Sequence, residues 1–373
     1  MRLWQRASGA FKDHNSLWQT NLSSRCTCTT ATAAAFRNLD IEKAVIRSTS
    51  HSDLCFNRRS VHRVCEWLRL SPYNLVPLLQ AVSRRMSKTR NWIVALKGLY
   101  LMHSVINSRL PCVKAIGRLP FDLSDFNDGY SPKARSWPFN AFVRAYYAFL
   151  DQKSVIIFLQ GRDVKRRGGD GDGDDSSLIA GELAMLQKLQ ALIDLLLQIR
   201  PQSRAAFVPI VLEVMDWIII EIYDLYSRIC RGIALVLLNI YSGGKAEAKL
   251  ALSVVQKANQ QGEDLYQYLH FCRKLGISHS SAFPAVDPIP KDTIHELEQI
   301  INRFSHDEEA KRNHSSEEEI RHLTYGFNVN GRSSSSSSSS QRDQPLKAII
   351  SGKWEKFEEE TVRDAEIPDL ISL

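Results

Sequence analysis

The sequence contains none of the short motifs that mark common active sites. It has no nucleophile elbow of the form G-x-S-x-G, no glycine-rich phosphate loop followed by Lys and Ser or Thr, no H-E-x-x-H pair and no dinucleotide fingerprint. Its ten histidines are scattered singly along the chain. We therefore expect no catalytic residue, no cofactor and no enzymatic activity.

Cysteine is infrequent and irregularly placed. The seven cysteines follow no disulfide-framework spacing, which favours free thiols in a reducing compartment. Cys26 and Cys28 form a C-x-C pair, but no second pair is present to complete a zinc site. The Asp-Gly repeats within 161–177 lack the ligand register and the closing Glu of a calcium loop. We therefore expect no bound metal.

Long apolar runs are also missing. Four acidic residues and two arginines interrupt the most apolar stretch, 207–241, so its continuous runs are far shorter than the roughly 20 residues of a membrane span. The N-terminus lacks the apolar core of a secretory signal. Residues 1–37 are rich in Ser, Thr, Ala and Arg and poor in acids, so an organellar transit peptide is an alternative.

No segment alternates apolar and polar residues for long enough to predict a β-sheet. Apolar residues instead recur every three or four positions over 92–106 and 186–197, as on the buried face of a helix. The same reasoning predicts helices over 207–241, 245–260 and 263–275. Large aromatic residues in this setting are expected in the core, namely Trp92, Phe121, Phe126 and Phe142. Together these patterns predict an all-α fold of stacked helical hairpins, similar to a solenoid.

Charge is distributed unevenly along the chain. Residues 1–168 contain 27 Lys and Arg but only 10 Asp and Glu, whereas the remainder is net acidic. This asymmetry predicts a surface for an anionic partner, either nucleic acid or acidic lipid. Basic residues followed by Gly-Asp repeats predict an exposed loop over about 161–177. Acidic clusters and eight consecutive serines predict a disordered tail over 305–373, following a helical domain over 1–304.

The segment 45–63 combines a helix start with several cations. Asn57 or Ser60 can cap a new helix, and Arg58, Arg59 and Arg63 then crowd its first turn. Cations at a helix N-terminus oppose the helix dipole, a conflict that a bound anion would relieve. Free N–H groups and guanidinium groups bind phosphate oxygens well. The alternative is a solvated basic surface.

Four segments in a fixed order carry a family resemblance. They read K-A-V-I-R-S-T-S-H at 43–51, K-T-R-N-W-I-V-A-L-K-G-L at 88–99, F-D-L-S-D-F-N-D at 121–128 and F-V-R-A-Y-Y-A-F-L-D at 142–151. Together they resemble the ANTH-domain clathrin-assembly proteins, the CALM-like group, and most closely its short-tailed plant members. The resemblance spans about residues 1–300. It implies a right-handed helical solenoid of the ANTH/ENTH type and a non-enzymatic clathrin-coat adaptor.

The resemblance also implies a phosphoinositide ligand. The family motif is a Lys, nine residues, a second Lys, one residue, a basic residue and then His or Tyr. Arg47 matches the first position and Arg59 the third basic position, whereas Asn57 and Ser60 depart from the pattern. Nearby cations could compensate for the departures. The residues expected to bind the headgroup are Arg47, His51, Arg58, Arg59 and His62.

The first eighteen residues have an amphipathic pattern. Leu3, Trp4 and Phe11 are interleaved with basic residues, which is typical of a helix that lies in the lipid interface. An equally open alternative is that this apolar stripe packs onto the domain.

Two hydrophobic islands in the tail predict contacts with coat proteins. Trp354 and Phe357 form a W-x-x-F pattern followed by acids, which resembles peptides that bind appendage domains of the plasma-membrane adaptor complex. Leu370, Ile371 and Leu373 match a clathrin box except for its final acid, for which the α-carboxylate of Leu373 could substitute. The clathrin heavy chain and adaptor appendages are therefore the expected partners.

The family resemblance extends these expectations to location and cargo. It implies the cytoplasmic face of the plasma membrane, clathrin-coated pits and vesicles, with the Golgi as an alternative membrane, and vesicle SNAREs as further partners. A competing hypothesis is a helical-repeat nucleic-acid-binding protein imported into an organelle. That hypothesis predicts removal of about the first 40 residues and gives the W-x-x-F pattern no role, whereas the adaptor hypothesis predicts no nucleic-acid partner.

Overall fold

The computed structural model describes residues 2–23, 38–130, 132–167, 175–283, 289–290 and 292–305. The regular structure of these residues is entirely helical and contains no β-strand, so the predicted all-α class is confirmed. None of the described helices is both long and apolar enough to span a bilayer.

The described residues form eleven α-helices and four short 3-10 segments. The helices are α1 (Arg2–Ser23), α2 (Leu39–Ser48), α3 (Arg58–Leu70), α4 (Leu75–Lys88), α5 (Trp92–Asn107), α6 (Lys133–Arg167), α7 (Asp175–Leu197), α8 (Pro209–Asn239), α9 (Lys245–Lys274), α10 (His279–Ala282) and α11 (292–305). The 3-10 segments are Pro72–Asn74, Pro111–Ala115, Ser203–Phe207 and Ile240–Ser242.

Asparagine caps define where three of these helices begin. The side chains of Asn38, Asn57 and Asn91 each accept hydrogen bonds from backbone N–H groups in the first turns of α2, α3 and α5. A side-chain cap of this kind typically contributes about 1 kcal/mol of stability. Of the two caps that the sequence allows for α3, the structure uses Asn57, whose Oδ1 accepts from the Ser60 N–H at 3.0 Å.

The chain divides into two compact units. The first comprises Met1–Asp172, Lys188–Ser227 and Gln261–Val286, and the second comprises Gly173–Gln187, Arg228–Gln260 and Asp287–Leu373. In the first unit, α2 packs against α1, α3 and α4, and α5 packs against α3, α4 and α6. Residues 94–103 of α5 are buried on every side, which makes this helix the centre of the unit.

The aromatic residues expected in the core lie mostly where the sequence predicts. Phe121, Phe126 and Phe142 are buried. Trp92 is half-buried and stacks on Phe139, with 4.0 Å between the ring centroids.

A buried polar cluster joins α5, α6 and α8 within the first unit. One carboxylate oxygen of Glu221 lies 2.5 Å from Lys153 Nζ, and the other lies 3.1 Å from His103 Nε2 and 3.0 Å from Asn107 Nδ2. His103 Nδ1 lies 2.7 Å from the Tyr146 hydroxyl. These partners correspond to a neutral imidazole that donates from Nε2 to the carboxylate and accepts at Nδ1 from the phenol.

In the second unit, a glycine allows α7 and α8 to approach each other closely. A Cβ atom at Gly232 would lie 2.5 Å from Cδ2 of Leu186, so a larger residue would require the Leu186 side chain to move. Aliphatic residues surround this contact, among them Leu183, Ile233, Ala251 and Val254, and Glu182 Oε1 would lie 3.1 Å from the same Cβ atom.

The structure corrects one helix prediction and shortens the predicted loop over 161–177. The helices predicted over 245–260 and 263–275 are a single helix, α9. Gln261 at the predicted break is buried, and its amide donates to the Gln190 carbonyl at 2.7 Å. A tertiary contact therefore holds the Gln-Gly pair in helical conformation. Of the predicted loop 161–177, residues 161–167 and 175–177 are helical, and residues 168–174 lie outside the described residues.

Candidate functional site

A basic groove opens in the first unit between α1, α2 and the C-terminal end of α4. Its volume is about 490 Å³. Five cationic side chains line it, and Glu42 is the one carboxylate among the described lining residues. The cations are Lys12, Arg84, Arg85, Lys88 and Arg90. A concave surface with this charge is suited to a ligand that carries several phosphate groups.

The end of α4 supplies most of these cations. Arg85 and Lys88 occupy its last turn, where positive charge is favoured by the helix dipole. Between them Met86 points into the core against Gly98 of α5, where a Cβ atom would lie 2.3 Å from the methionine sulfur. This contact packs the Met86 side chain of α4 closely against α5. Arg84 then pairs with the buried carboxylate of Glu42 on α2.

A carboxylate from α1, that of Asp13, lies beside the groove and contacts two of its lining residues. Asp13 Oδ2 accepts from the backbone N–H of His51 at 2.8 Å. Asp13 Oδ1 lies 2.7 Å from His51 Nδ1 and accepts from Arg85 Nη2 at 2.9 Å. Arg85 also donates to the hydroxyl and the carbonyl of Thr49, at 3.2 and 3.0 Å. His51 and Arg85 thus form a cradle of donors around the Asp13 carboxylate.

The surroundings of Asp13 favour its ionised carboxylate. Burial acts to raise the pKa of Asp13, but the hydrogen bonds from His51 and the charge of Arg85 outweigh it, so the pKa lies below its ordinary value. Asp13 is therefore negatively charged at neutral pH and holds two of the groove's donor residues.

Helix α1 lies against the domain at the edge of the groove. A Cβ atom at Gly9 would lie 2.7 Å from the His51 Cβ, so glycine permits this approach. Lys12 Nζ lies 4.1 Å from the centroid of the Tyr130 ring. Phe11 remains 72% exposed. The predicted helix is therefore present and packs on the first unit, whereas its insertion into lipid stays a prediction. Leu3 and Trp4 belong to α1, but their side chains are outside the part that the structure describes.

The headgroup residues predicted from the motif do not meet in one pocket. His51 lines the groove, whereas Arg47 and Arg59 are exposed elsewhere on α2 and α3. Arg58 donates to Glu213 of α8 from Nε at 3.0 Å and from Nη2 at 2.7 Å, which raises the pKa of its guanidinium. His62 lies 3.1 Å from Glu66 one turn along α3.

The sequence analysis missed the groove cations at the end of α4. The available signal was the segment 84–90, in which four of seven residues are Lys or Arg. That signal does not predict a groove, because Lys12 and His51 join these residues only through the packing of α1 and α2.

The tail residues with predicted partners lie outside the described residues, so their roles stay predictions. They are Trp354, Phe357, Leu370, Ile371 and Leu373.

In the part of the chain that the structure describes, no group of three or more His, Cys, Asp or Glu side chains is arranged to hold a metal ion.

Comparison with known proteins identifies the family. The ANTH domain profile matches residues 40–303. Three similar proteins from Arabidopsis thaliana each bear the name "Putative clathrin assembly protein". The first is 44% identical over 81% of this chain and 77% of its own length. The second is 37% identical over 96% and 89%, and the third is 36% identical over 81% and 82%. The chain therefore belongs to the ANTH-domain family.

Proposed function

We propose that this chain is a non-enzymatic clathrin-coat adaptor that binds phosphoinositide-containing membranes and promotes the assembly of clathrin-coated vesicles. The observation that carries the membrane part is the groove lined by five cations, in which Glu42 is the one carboxylate among the described lining residues and Asp13 lies beside it. The names of the similar Arabidopsis proteins support the clathrin part.

The groove chemistry suits an inositol headgroup with two or more phosphates. Arg84 and Arg85 carry forked donors of the kind that match phosphate oxygens, although each is already paired with one carboxylate, and Lys88 and Arg90 at its rim add positive charge. Each well-placed cation near an anionic membrane surface contributes roughly 1 kcal/mol of attraction. The exposed Arg47 and Arg59 extend this basic surface outside the groove.

The remaining parts of the proposal concern the tail and the membrane served. Trp354 and Phe357 would engage adaptor appendage domains, and Leu370, Ile371 and Leu373 would engage the clathrin heavy chain. A tail that is disordered, as its composition predicts, allows such weak motifs to reach several partners at once. The proposed sites of action are coated pits and vesicles at the plasma membrane or the Golgi, with vesicle SNAREs as further partners.

The proposal is tested by co-sedimentation of the full chain with vesicles. One set of vesicles contains phosphatidylinositol bisphosphate and the other contains phosphatidylserine at matched surface charge. The groove variant is Lys88→Glu/Arg90→Glu. Its matched control is Lys114→Glu/Arg135→Glu, which makes the same charge change at exposed positions that do not line the groove. A third variant, Arg47→Glu/Arg59→Glu, tests the family motif.

We expect binding to the bisphosphate vesicles, at least a tenfold loss in the groove variant and a smaller loss in the control, since only the groove variant alters the pocket. Equal losses of vesicle binding in the groove variant and the control would mean that the groove acts only as a non-selective basic surface. Binding to neither vesicle would refute the membrane proposal, and an RNA-binding assay would then test the competing nucleic-acid hypothesis.

A further inference from the structure

A second basic surface lies in the part of the chain that is otherwise net acidic. Two segments of the first unit, 195–212 and 265–286, contain no Asp or Glu. The fold brings these segments together, because the Tyr268 hydroxyl donates to the Ile199 carbonyl at 2.9 Å. The Arg200 guanidinium also lies 5.4 Å from the centroid of the Tyr268 ring. Basic residues of both segments therefore meet on one surface.

The end of α9 supplies most of this surface. Tyr266, His270 and Arg273 recur every three or four positions, so they lie on one side of the helix, and all three are exposed. Lys274 is exposed beside them. Glu263, which is also exposed, stands one turn before Tyr266 and bounds the basic surface on that side. The last ten residues of α9 therefore present an aromatic and basic side without an acid.

The α9 basic face, defined as these four side chains and that of Arg200, keeps its positive charge unpaired. Arg200 and Arg273 each donate from Nε to a backbone carbonyl, at 3.0 and 3.1 Å. Among the described residues, neither arginine nor Lys274 forms an ion pair with a carboxylate. Asp216 of α8 lies near this helix end, but its Oδ1 already accepts from the His279 backbone N–H at 3.1 Å. The face is therefore suited to an anionic partner.

Exposed aromatic rings accompany these cations. Tyr266 is 59% exposed, and the 3-10 segment that follows Arg200 ends in Phe207, which is 82% exposed. The helix dipole favours the two cations in the last turn of α9, but it accounts neither for Arg200 nor for the exposed rings. Guanidinium groups and aromatic rings together bind aromatic side chains as well as carboxylates. The surface thus fits a peptide that carries both.

A peptide of this chemistry occurs in the tail of the same chain. The segment 354–360 reads W-E-K-F-E-E-E, so two aromatic residues stand among four glutamates and one lysine. Trp354 follows Ser305, the last described residue, by about 50 positions, and a chain of that length extends to roughly 160 Å. By comparison α6, a helix of 35 residues, spans about 52 Å. The length of the tail therefore does not restrict which side of the first unit the segment reaches.

Covalent attachment makes even a weak contact between the segment and the face effective. A segment tethered through a chain that can span the two sites has an effective concentration that reaches about the millimolar range. A contact with a Kd of about 1 mM is then occupied roughly half of the time without any second molecule. The tail of the same chain is for this reason favoured over a separate acidic peptide.

We propose that residues 354–360 dock on the α9 basic face of the same chain, with the two aromatic side chains against its exposed rings and the glutamates against its cations. Docking covers Trp354 and Phe357, which the proposed function assigns to adaptor appendage domains. The face and an appendage domain then compete for one segment, so the tail motif is autoinhibited until a partner captures it. The docking stands on complementarity alone, whereas its regulatory effect rests on the proposed function.

The first arm of the test is cross-linking of the full wild-type chain with an amine-reactive reagent. Lys356 lies within the docking segment and Lys274 on the face, whereas Lys114 is an exposed lysine of the first unit outside the face. We expect links from Lys356 to Lys274 to be about fivefold more abundant than links to Lys114. Equal abundance would overturn the docking, and a preference for Lys88 would place the segment at the groove instead.

Two alanine variants of the tail leave these lysines in place. Trp354→Ala/Phe357→Ala should lower the links to the face to the level of the links outside it. The matched control Leu370→Ala/Ile371→Ala changes apolar residues elsewhere in the tail and should leave the links unchanged. Wild-type abundance in the first variant would show that the aromatic residues do not dock. If a mixture of ¹⁵N-labelled and unlabelled chains gave mostly links between copies, docking within one chain would be wrong.

The second arm measures the regulatory effect by calorimetry, with the full chain and a purified appendage domain of the plasma-membrane adaptor complex. Arg273→Glu/Lys274→Glu reverses two charges of the face, and Lys114→Glu/Arg135→Glu makes the same charge change at exposed positions outside it. We expect the face variant to bind the appendage domain about fivefold more tightly than the control, because the internal competitor is removed. Equal affinities would overturn the autoinhibition.

The same pair of variants tests whether the face binds lipid instead of the tail. We expect equal co-sedimentation of the two variants with phosphatidylserine vesicles. A larger loss in Arg273→Glu/Lys274→Glu would reassign the face to the membrane and overturn the docking of the tail.

The two arms separate failure of the inference from failure of the proposed function. If the appendage domain binds wild type and both variants equally and no preferential link to Lys274 forms, the docking is wrong while the adaptor proposal stands. If the preferential link forms but the appendage domain binds none of the proteins, the docking stands. The proposed role of the tail aromatics and the autoinhibition that depends on it are then wrong.

Discussion

Replacing Glu221 by glutamine should destabilise the first unit severely. Glu221 is 4% exposed, and its two oxygens serve Lys153, His103 and Asn107. The glutamine amide retains one acceptor oxygen, but its NH₂ group would face donors where the second carboxylate oxygen stands. The Lys153 ammonium, 9% exposed, would also lose its counter-charge.

The expected loss follows from the cost of an uncompensated buried charge. Removing one partner of a buried ion pair typically destabilises a protein by about 3–5 kcal/mol. Domains of ordinary size unfold with free energies of about 5–15 kcal/mol, so the variant retains only part of its stability. With a urea m-value of about 2 kcal/mol/M, a loss of 4 kcal/mol lowers the unfolding midpoint by about 2 M.

Urea unfolding of wild type and three variants measures this effect. Glu66→Gln is the control, because Glu66 is half-exposed and should change the stability by less than about 0.5 kcal/mol. Lys153→Met/Glu221→Leu removes both charges and should recover most of the loss, since it leaves no unpaired ion. A change below about 1 kcal/mol in Glu221→Gln would refute the reasoning that the cluster is closed to water.

Three further measurements test separate features of the structure. Burial lowers the pKa of His103 below its ordinary value of 6.5, so the unfolded chain takes up a proton that the folded chain does not as the pH falls through 6.5. Below pH 6.5 this residue should therefore lower the free energy of unfolding by up to about 1.4 kcal/mol per pH unit. In His103→Gln, the urea unfolding midpoint should depend less on pH between about pH 7 and 5.5. Parallel pH profiles of the two proteins would contradict the assignment of a neutral imidazole. Gly98→Ala should lower stability by about 1–3 kcal/mol, because its Cβ would lie 2.3 Å from the sulfur of the buried Met86. An unchanged melting temperature would mean that the Met86 side chain moves aside without cost. Burial raises the pKa of Cys272 to about 12, so iodoacetamide at pH 8 should leave it unmodified in the folded chain while the exposed Cys55 reacts. If mass spectrometry detected equal labelling of the two cysteines, α9 would have to open readily.

Local features of the sequence were sufficient wherever neighbouring residues decide the outcome. The apolar spacing over 92–106 predicts α5 because each turn repeats the same buried face. Asn57 caps α3 by accepting a hydrogen bond from the Ser60 N–H, only three residues away in the sequence. The same residue departs from the family's lipid-binding motif, and its capping contact gives it a structural role of its own.

Long-range contacts account for what the sequence analysis missed. Glu213 stands 155 residues from Arg58, and Arg85 stands 72 residues from Asp13. No periodicity relates such partners, because they meet only through the packing of separate helices. The prediction of a break within α9 was wrong for the same reason, because the contact that keeps Gln261 helical is with Gln190 of α7.

The sequence alone determined the helical class, the family and the basic character of the N-terminal half, because these depend on composition, spacing and order along the chain. The tertiary structure decided which cations share a groove, which are already paired with carboxylates, and how α1 lies against His51. The physical reason is that charge is a property of the residue, whereas a binding site requires donors from distant segments to converge within hydrogen-bonding distance.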